Sequence, residues 1–299
     1  MSKLKGAVKA INRYKMPYLF ISPFYIMFTV FMVFPIFYSF YLSLTNLRGV
    51  AKPAFIGLRN YANLLNDVRF WTALKNTSIF AVVQIPIMIG LAIILALILN
   101  SSWVKFRNFF RSVYFLPVVM SLAVAALAFS MILNIDIGLL NLLLERLGLG
   151  KYDWLNNPKL AMPSIIVLTT WRWTGYNVVI LIAGLQNISP ELYEMAKIDG
   201  AGPLRRIWNI TLPLLGPVIL FCVMFSVIGS YQLFEEPYIL TRGGPADATL
   251  TIVFYLFQIG FQRFQLGYAS SIAYSLVVII FVLSILQMRY FGRRTSQEM

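Results

Sequence analysis

The sequence predicts an all-α fold, a polytopic helical bundle with six transmembrane helices. Three observations carry this. Hydrophobic residues make up 59% of the 299 and charged residues 12%, where a soluble domain carries roughly 25% charged. Six stretches reach the roughly 20 mostly apolar residues that a membrane span needs. The Lys and Arg residues gather at the ends of those stretches rather than inside them.

The six stretches are 18–44, 74–100, 109–133, 161–186, 213–240 and 268–291. The first has too long an apolar run, and no small-residue cleavage site after it, to be a removable signal. Lys3, Lys5, Lys9, Arg13 and Lys15 precede it with no acid among them. By the positive-inside rule, fourteen cations lie on the side of the termini and ten on the other, with Arg172 inside a span. The expected organisation is a cytoplasmic tail at 1–17, a membrane domain at 18–291 with a cytoplasmic loop at 187–212, and a cytoplasmic tail at 292–299. A multi-pass protein of a bacterial-type cytoplasmic (inner) membrane, N-in and C-in, is expected.

On the outer side, "GLRNYANLLNDVRFW" places Leu58, Tyr61, Leu64, Leu65 and Val68 on one helical face, followed by Phe70 and Trp71 as interfacial anchors. The N-x-[S/T] triplets at Asn76, Asn187 and Asn209 fall in or near the membrane or on the cytoplasmic side and are read as chance. The net charge of +14 comes with no nucleic-acid motif, so no nucleic-acid partner is expected. Histidine is absent, which removes the commonest metal ligand and acid–base group. The lone Cys222 lies in an apolar run as a small buried hydrophobe. No cofactor or metal is expected.

The loop "SPELYEMAKIDGAGPLRRIWNITLP" reads as a helix–turn–helix. Ser189 caps a first helix with Pro190 at its first position and Glu191 at its positive end. Asp199-Gly200 breaks it. Gly202-Pro203 starts a second, which carries Leu204, Ile207 and Trp208 on one face and ends at Pro213. Ala196, Gly200, Ala201 and Gly202 make one side small, and Glu194 and Asp199 flank it with charge. On the residues alone, two readings stay open: an interfacial helix pair joining two spans, or a joint for another protein.

Polar residues inside spans are functional candidates. Span four carries "TTWRWTGYN", with Trp171, Arg172, Trp173, Thr174, Tyr176 and Asn177. Arg172 sits roughly 13 Å from the outer end of its span, too deep for easy snorkelling, and is expected to face protein or water. Ser226, Gly229, Ser230 and Leu233 in span five share a helical face. That face reads either as the wall of a hydroxyl-rich solute path opposite the Trp173 plane or as close helix packing. Glu235 and Glu236, near the outer end of that span, are expected to be solvated.

The loop resembles the "EAA" loop of permease subunits of binding-protein-dependent ABC importers, whose pattern is Glu-Ala-Ala, three residues, Gly. Here it is Glu194-Met195-Ala196, Lys197-Ile198-Asp199, Gly200-Ala201, with Ile210-Thr211-Leu212-Pro213 matching the later "ITLP". Met195 replaces the middle Ala and makes that contact bulkier. "GLRNYANLL", "FWTALKNT", "FRNFFRSVYFLPVVMS", "WRWTGYNVVILIAGLQNISPELYE" and "YILTRGGPADATLT" are similar, in order, to segments of maltose-type and glycerol-phosphate-type carbohydrate permeases.

The resemblance implies a type I ABC importer permease fold. It implies a subunit that moves a sugar, oligosaccharide or polyol derivative by alternating access. It also implies a second homologous permease subunit, two cytoplasmic ATPase subunits and an extracytoplasmic solute-binding protein as partners. Glu194, Ala196, Asp199, Gly200 and Ala201 are the implied ATPase-coupling residues. Trp173, Thr174, Gly175, Ser226, Gly229, Ser230 and Leu233 align with the substrate path, although Gly229, Ser230 and Leu233 stand where the maltose-type permease has aromatic and amide groups.

The chain has no G-x-x-x-x-G-K-[S/T] phosphate loop, so hydrolysis belongs to another subunit and this chain is not an enzyme. An ion-coupled secondary transporter is the alternative. The spans hold no mid-membrane Asp, Glu or His of the kind such proteins use. A polytopic membrane enzyme would need a nucleophile–base pair or metal cluster.

Overall fold

The computed structural model describes residues 15–101 and 103–295. The expectations for the basic residues Lys3 to Arg13 and for the last residues, 296–299, lie outside that range. The described residues are almost entirely helical, as 59% hydrophobic composition in long runs requires. In a bilayer each backbone N–H and C=O must be paired within its own segment. Five helices are long and apolar enough to cross: α1 (Met16–Ser43), α3 (Val68–Asn100), α7 (Ala161–Gln186), α9 (Pro203–Tyr231) and α12 (Leu266–Arg289 of a helix continuing to Thr295). A sixth crossing is a broken pair, α4 (Arg107–Val119) and α5 (Leu122–Ile132), bent by 95°. Shorter helices are α2 (Arg59–Leu65), α6 (Leu139–Arg146), α8 (Pro190–Ile198), α10 (Glu235–Leu240) and α11 (Ile252–Gln262).

The chain divides into two compact units. In the smaller, formed by residues up to 66 together with 259–274, α1 buries only Leu42 and Ser43 along its length. Its end is tied down by Asn60, whose amide donates to the carbonyls of Ser43 and Thr45, each at 2.8 Å. Tyr61 donates to the Ser43 hydroxyl at 2.8 Å. These bonds correct the expected amphipathic face. The buried pair of α2 is Asn60 and Leu64, while Leu58 and Leu65 are exposed. Satisfying two orphan carbonyls at the end of α1 rotates the helix to turn in its amide rather than its leucines. Gly267 packs against the same turn, where a Cβ would lie 2.2 Å from the Thr45 carbonyl oxygen.

The larger unit, 67–258 with 275–299, is built around α7, the most buried of the spanning helices. Its Ile165, Leu168, Val178 and Leu181 are fully enclosed, and α3, α4 and α9 pack against it. The start of α3 is set by Asp67, whose carboxylate accepts from the backbone N–H of Arg69 and Phe70 at 3.0 and 3.2 Å. Phe70 is buried rather than an interfacial anchor; Trp71 stays exposed. The loop after α10 is bolted to α3. Arg69 makes a two-pronged bond to Asp247 at 2.7 and 2.8 Å, which holds that residue at φ 59. Asn76 donates to the carbonyls of Asp247 and Leu250, so the first of the three Asn triplets has a structural use.

The third span was expected as one helix over 109–133. Pro117 removes a backbone donor, and Met120 and Ser121 take extended conformations, so the chain turns and leaves the carbonyls at the end of α4 without helical partners. Arg172 supplies them. Its Nη1 donates to Met120 at 2.7 Å and to Pro117 at 3.2 Å, and its Nη2 donates to Val118 at 3.3 Å. With 8% of its surface exposed, it faces protein, as the depth of its position requires. A guanidinium at a helix C-terminus also meets the negative end of the dipole.

α4 crosses α7 at Gly175. A Cβ there would lie 1.7 Å from the carbonyl oxygen of Tyr114, a distance no side chain tolerates. Gly175→Ala is therefore expected to cost about 3 kcal/mol or more through overpacking and to reduce the monodisperse peak on size-exclusion chromatography. A wild-type yield would show that α4 does not approach α7 this closely.

Candidate functional site

The larger unit holds a cleft of about 570 Å³. Its walls come from α3 (Phe80, Gln84, Met88), α7 (Thr169, Trp173, Tyr176, Asn177, Ile180), α9 (Cys222, Phe225, Ser226, Gly229, Ser230) and the segment from Gln232 to Glu236, with Leu122 beside the break in the third span. Local physics sets each wall. α7 presents Trp173 half-exposed, edge-on to Tyr176 with ring centroids 6.1 Å apart. The Arg172 guanidinium lies 5.6 Å from the Trp173 ring, so its own carbonyl bonds and this contact fix the plane from behind. On α9, Ser226 donates to the Cys222 carbonyl at 2.7 Å, and Cys222 is buried.

Trp173, Ser226, Gly229, Ser230 and Leu233 all line this one cleft. A Cβ on Gly229 would meet nothing within 4 Å, so within this chain that face opens on space rather than on a neighbouring helix. α9 ends at Tyr231, and Leu233 sits beyond it, buried among Phe80, Ala126 and Ile165. Two expected residues lie elsewhere. Thr174 is buried with its hydroxyl bonded to the Thr170 carbonyl at 2.6 Å. Gly175 lies under the backbone of α4. Neither lines the cleft. Less than one turn of helix separates the faces. Thr174 and Gly175 follow Trp173 by 100° and 200° of rotation, so they point into the protein when Trp173 points out.

Gln84 and Glu236 are among the lining residues that were not read from the sequence as part of the path. Gln84, 3% exposed, is the amide in the run "AVVQIPIMIG" of α3, and a lone amide in a span was the signal to follow. Glu236 is the other. It was expected to be solvated, yet it is 4% exposed. The break at Gln232 turns α10 back against α5 and folds this carboxylate inward, while Glu235 stays exposed.

The loop 187–212 forms a second candidate. α8 runs from Pro190 to Ile198 with Ser189 at the cap position, although the Ser189 side chain makes no capping bond. It ends as expected at Asp199-Gly200. Gly200 has φ +75, the Ala201 N–H bonds to the Ala196 carbonyl at 2.8 Å, and the Gly200 N–H bonds to Lys197 at 3.0 Å. The expected second short helix is instead the beginning of α9. The helix runs through Pro213 without a break, because residues Ile207–Thr211 take a wider π turn. That turn removes the α-type bond and the close carbonyl that a proline would disrupt.

Tyr193 bonds to Thr211 at 3.0 Å and ties α8 to this rod. Glu194 is exposed, Ala196 half-buried, and nothing lies within 4 Å of a Cβ on Gly200 or Gly202. Met195, Ile198, Leu204 and Trp208 are exposed beside them. Among the described residues no group of three or more Cys, Asp or Glu could hold a metal ion.

Comparisons with known proteins bear on the family and the fold. Residues 88–297 match the family described as binding-protein-dependent transport system inner membrane component. The lactose transport system permease protein LacF of Rhizobium radiobacter is 43% identical over 275 residues, which cover 90% of this chain and 92% of that protein. The arabinooligosaccharides transport system permease protein AraP of Bacillus subtilis (strain 168) is 38% identical, covering 92% of this chain and 88% of that protein. A chain in the crystal structure of a bacterial ABC transporter involved in the import of the acidic polysaccharide alginate superposes with a TM-score of 0.85 at 24% identity, over 96% of this chain and 98% of that one. That likeness bears on the fold.

Because Gly229 faces open space, Gly229→Leu is expected to leave assembly intact, with a size-exclusion yield within about 20% of wild type, since helix propensity rises on replacing Gly. A collapsed yield would mean that the Ser226–Ser230 face is a packing surface.

Proposed function

Since the chain belongs to the family of inner membrane components of binding-protein-dependent transport systems, we propose that its cargo is a sugar, oligosaccharide or polyol derivative. The single observation that carries this is the cleft, where the flat Trp173 ring stands among hydroxyl and amide groups inside an otherwise apolar bundle. Sugar rings offer C–H faces to an aromatic plane and hydroxyls to polar groups. Trp173, Ser226, Gly229, Ser230 and Leu233 form the path, joined by Gln84 and Asn177. Thr174 and Gly175 support it from behind. The names of the relatives, lactose and arabinooligosaccharide permeases, support the same class of cargo. The ion-coupled secondary transporter is set aside by the family.

The partners in this reading are a second homologous permease, two cytoplasmic ATPases and an extracytoplasmic solute-binding protein, and the cycle is alternating access. The loop 187–212 is the ATPase joint. Its Schellman-type turn leaves open space at Gly200 beside the half-buried Ala201, Glu194 and Asp199 offer charge, and the exposed Met195 and Ile198 offer apolar surface. The segment 18–291 is the membrane domain, and the tails 1–17 and 292–299 lie on the cytoplasmic side with that loop.

Two experiments test this. Glu194→Lys removes a charge partner and Gly200→Trp places an indole, at positive φ, where a docking surface must come close. Each variant should remain in the membrane while pull-down of the ATPase falls at least about tenfold, the equivalent of roughly 1.4 kcal/mol. Full retention of ATPase by both would remove the coupling role. For orientation, single cysteines in a Cys222→Ala background should react with an impermeant thiol reagent in intact cells at position 156 and resist it at position 189. The reverse pattern would invert the topology.

A further inference from the structure

Several polar groups of the cleft already spend a proton within the chain and leave an oxygen free to accept. Ser226 spends its proton on the Cys222 carbonyl, and Thr169 bonds to the Ile165 carbonyl at 2.9 Å. The Asn177 amide donates to the Trp173 carbonyl at 3.0 Å, and the Gln84 amide donates to the Met88 sulfur at 3.1 Å. Gln84 and Asn177 are each 3% exposed. A sulfur is a weak acceptor, so Gln84 in particular is a buried amide with most of its hydrogen-bonding capacity unused.

To these acceptors the cleft adds two carboxylates, Glu235 and the 4%-exposed Glu236. Among the described residues no side-chain donor bonds to Glu236, and no Lys or Arg lines the cleft. The nearest guanidinium, Arg172, is committed to three backbone carbonyls at the break in the third span. A buried carboxylate facing a cavity with neither an ion-pair partner nor a side-chain donor is costly and is complementary to a ligand that brings donors or positive charge.

We propose that Glu236 makes this cleft sort carbohydrates by charge, admitting neutral and amino-bearing sugars and turning away uronates and sulfated or phosphorylated sugars. Neutral sugars supply hydroxyl donors for the Glu236 carboxylate and the free oxygens beside it, and an ammonium adds a charge-assisted bond. An anion would meet the Glu235 and Glu236 carboxylates in a poorly screened setting with no Lys or Arg among the lining residues to offset them. This rests on the carbohydrate reading of the cleft given above.

The test uses the purified full complex carrying Gly229→Cys in a Cys222→Ala background. First, the thiol is modified with a cationic and an anionic methanethiosulfonate reagent, each rate being normalised to a free thiol. The cationic reagent should react at least about tenfold faster, which is roughly 1.4 kcal/mol of preference. Glu236→Gln should reduce that ratio several-fold, and Glu235→Gln, at an exposed position, should reduce it less. Second, glucose, glucosamine and glucuronate are compared as protectants.

Protection by glucose and glucosamine but not glucuronate is expected. A reagent ratio near one, a ratio unmoved by Glu236→Gln, or equal protection by glucuronate would overturn the charge filter and leave the carbohydrate reading standing. A charge-biased ratio with no protection by any of the three sugars would overturn the carbohydrate reading and sugar sorting with it. The wild-type Glu236 ratio needs no folding of the Gln variant, so the first arm decides in either case.

Discussion

A single side chain lets the third span break inside the bundle. The carbonyls of Pro117, Val118 and Met120 point out of a helix end at a place where water is scarce, and leaving them bare would cost several kcal/mol. Arg172 carries five donors in a fixed fork and answers all three. The charge in turn is tolerated because those carbonyls and the dipole of α4 surround it. The approach of α4 to α7 that makes this possible needs a residue without a side chain at Gly175. A charged residue and a glycine three positions apart in one helix thus fix the course of another. The 95° bend they hold places Leu122 at the edge of the cleft.

The span count, the helical class and the break at Asp199-Gly200 were legible because each is a local property. Twenty apolar residues leave a helix little choice, and a glycine after an aspartate ends one. What escaped were features decided by a distant partner. In "FLPVVMS" Pro117 hints at a break, but a 95° turn is not readable until the donors of Arg172 are known to face it. The leucines of α2 follow a helical period, yet Asn60 takes the inside because two carbonyls of α1 require it. Pro213 reads as a stop, but a π turn upstream absorbs it.

For the cleft, periodicity found the Ser226–Gly229–Ser230 face because one helix supplies it. Thr174 and Gly175 were placed with Trp173 by the resemblance to the maltose-type permease, and in this chain 100° of rotation per residue turns them away from the cleft. Gln84 belongs to the cleft only through the packing of α3 on α7, which no local pattern reveals. Glu236 was misjudged for a related reason. Its distance from the span's end was clear, but the turn at Gln232 that folds it inward was not.

The continuity of α9 has a mechanical side. From Leu204 to Gly229 the chain is helical without a loop, a rod of about 38 Å at 1.5 Å per residue. Its near end lies beside the turn at Gly200 and is tied to α8 through Tyr193 and Thr211. Its far end carries the small face of the cleft. Helices are stiff over this length, so a push at the near end is not absorbed on the way. About a pivot near mid-length, a displacement of a few ångströms at Trp208 returns as a similar and opposite displacement at Ser230. The wall of the cleft is then one arm of a lever, and the distance it moves is set by where neighbouring helices grip the rod.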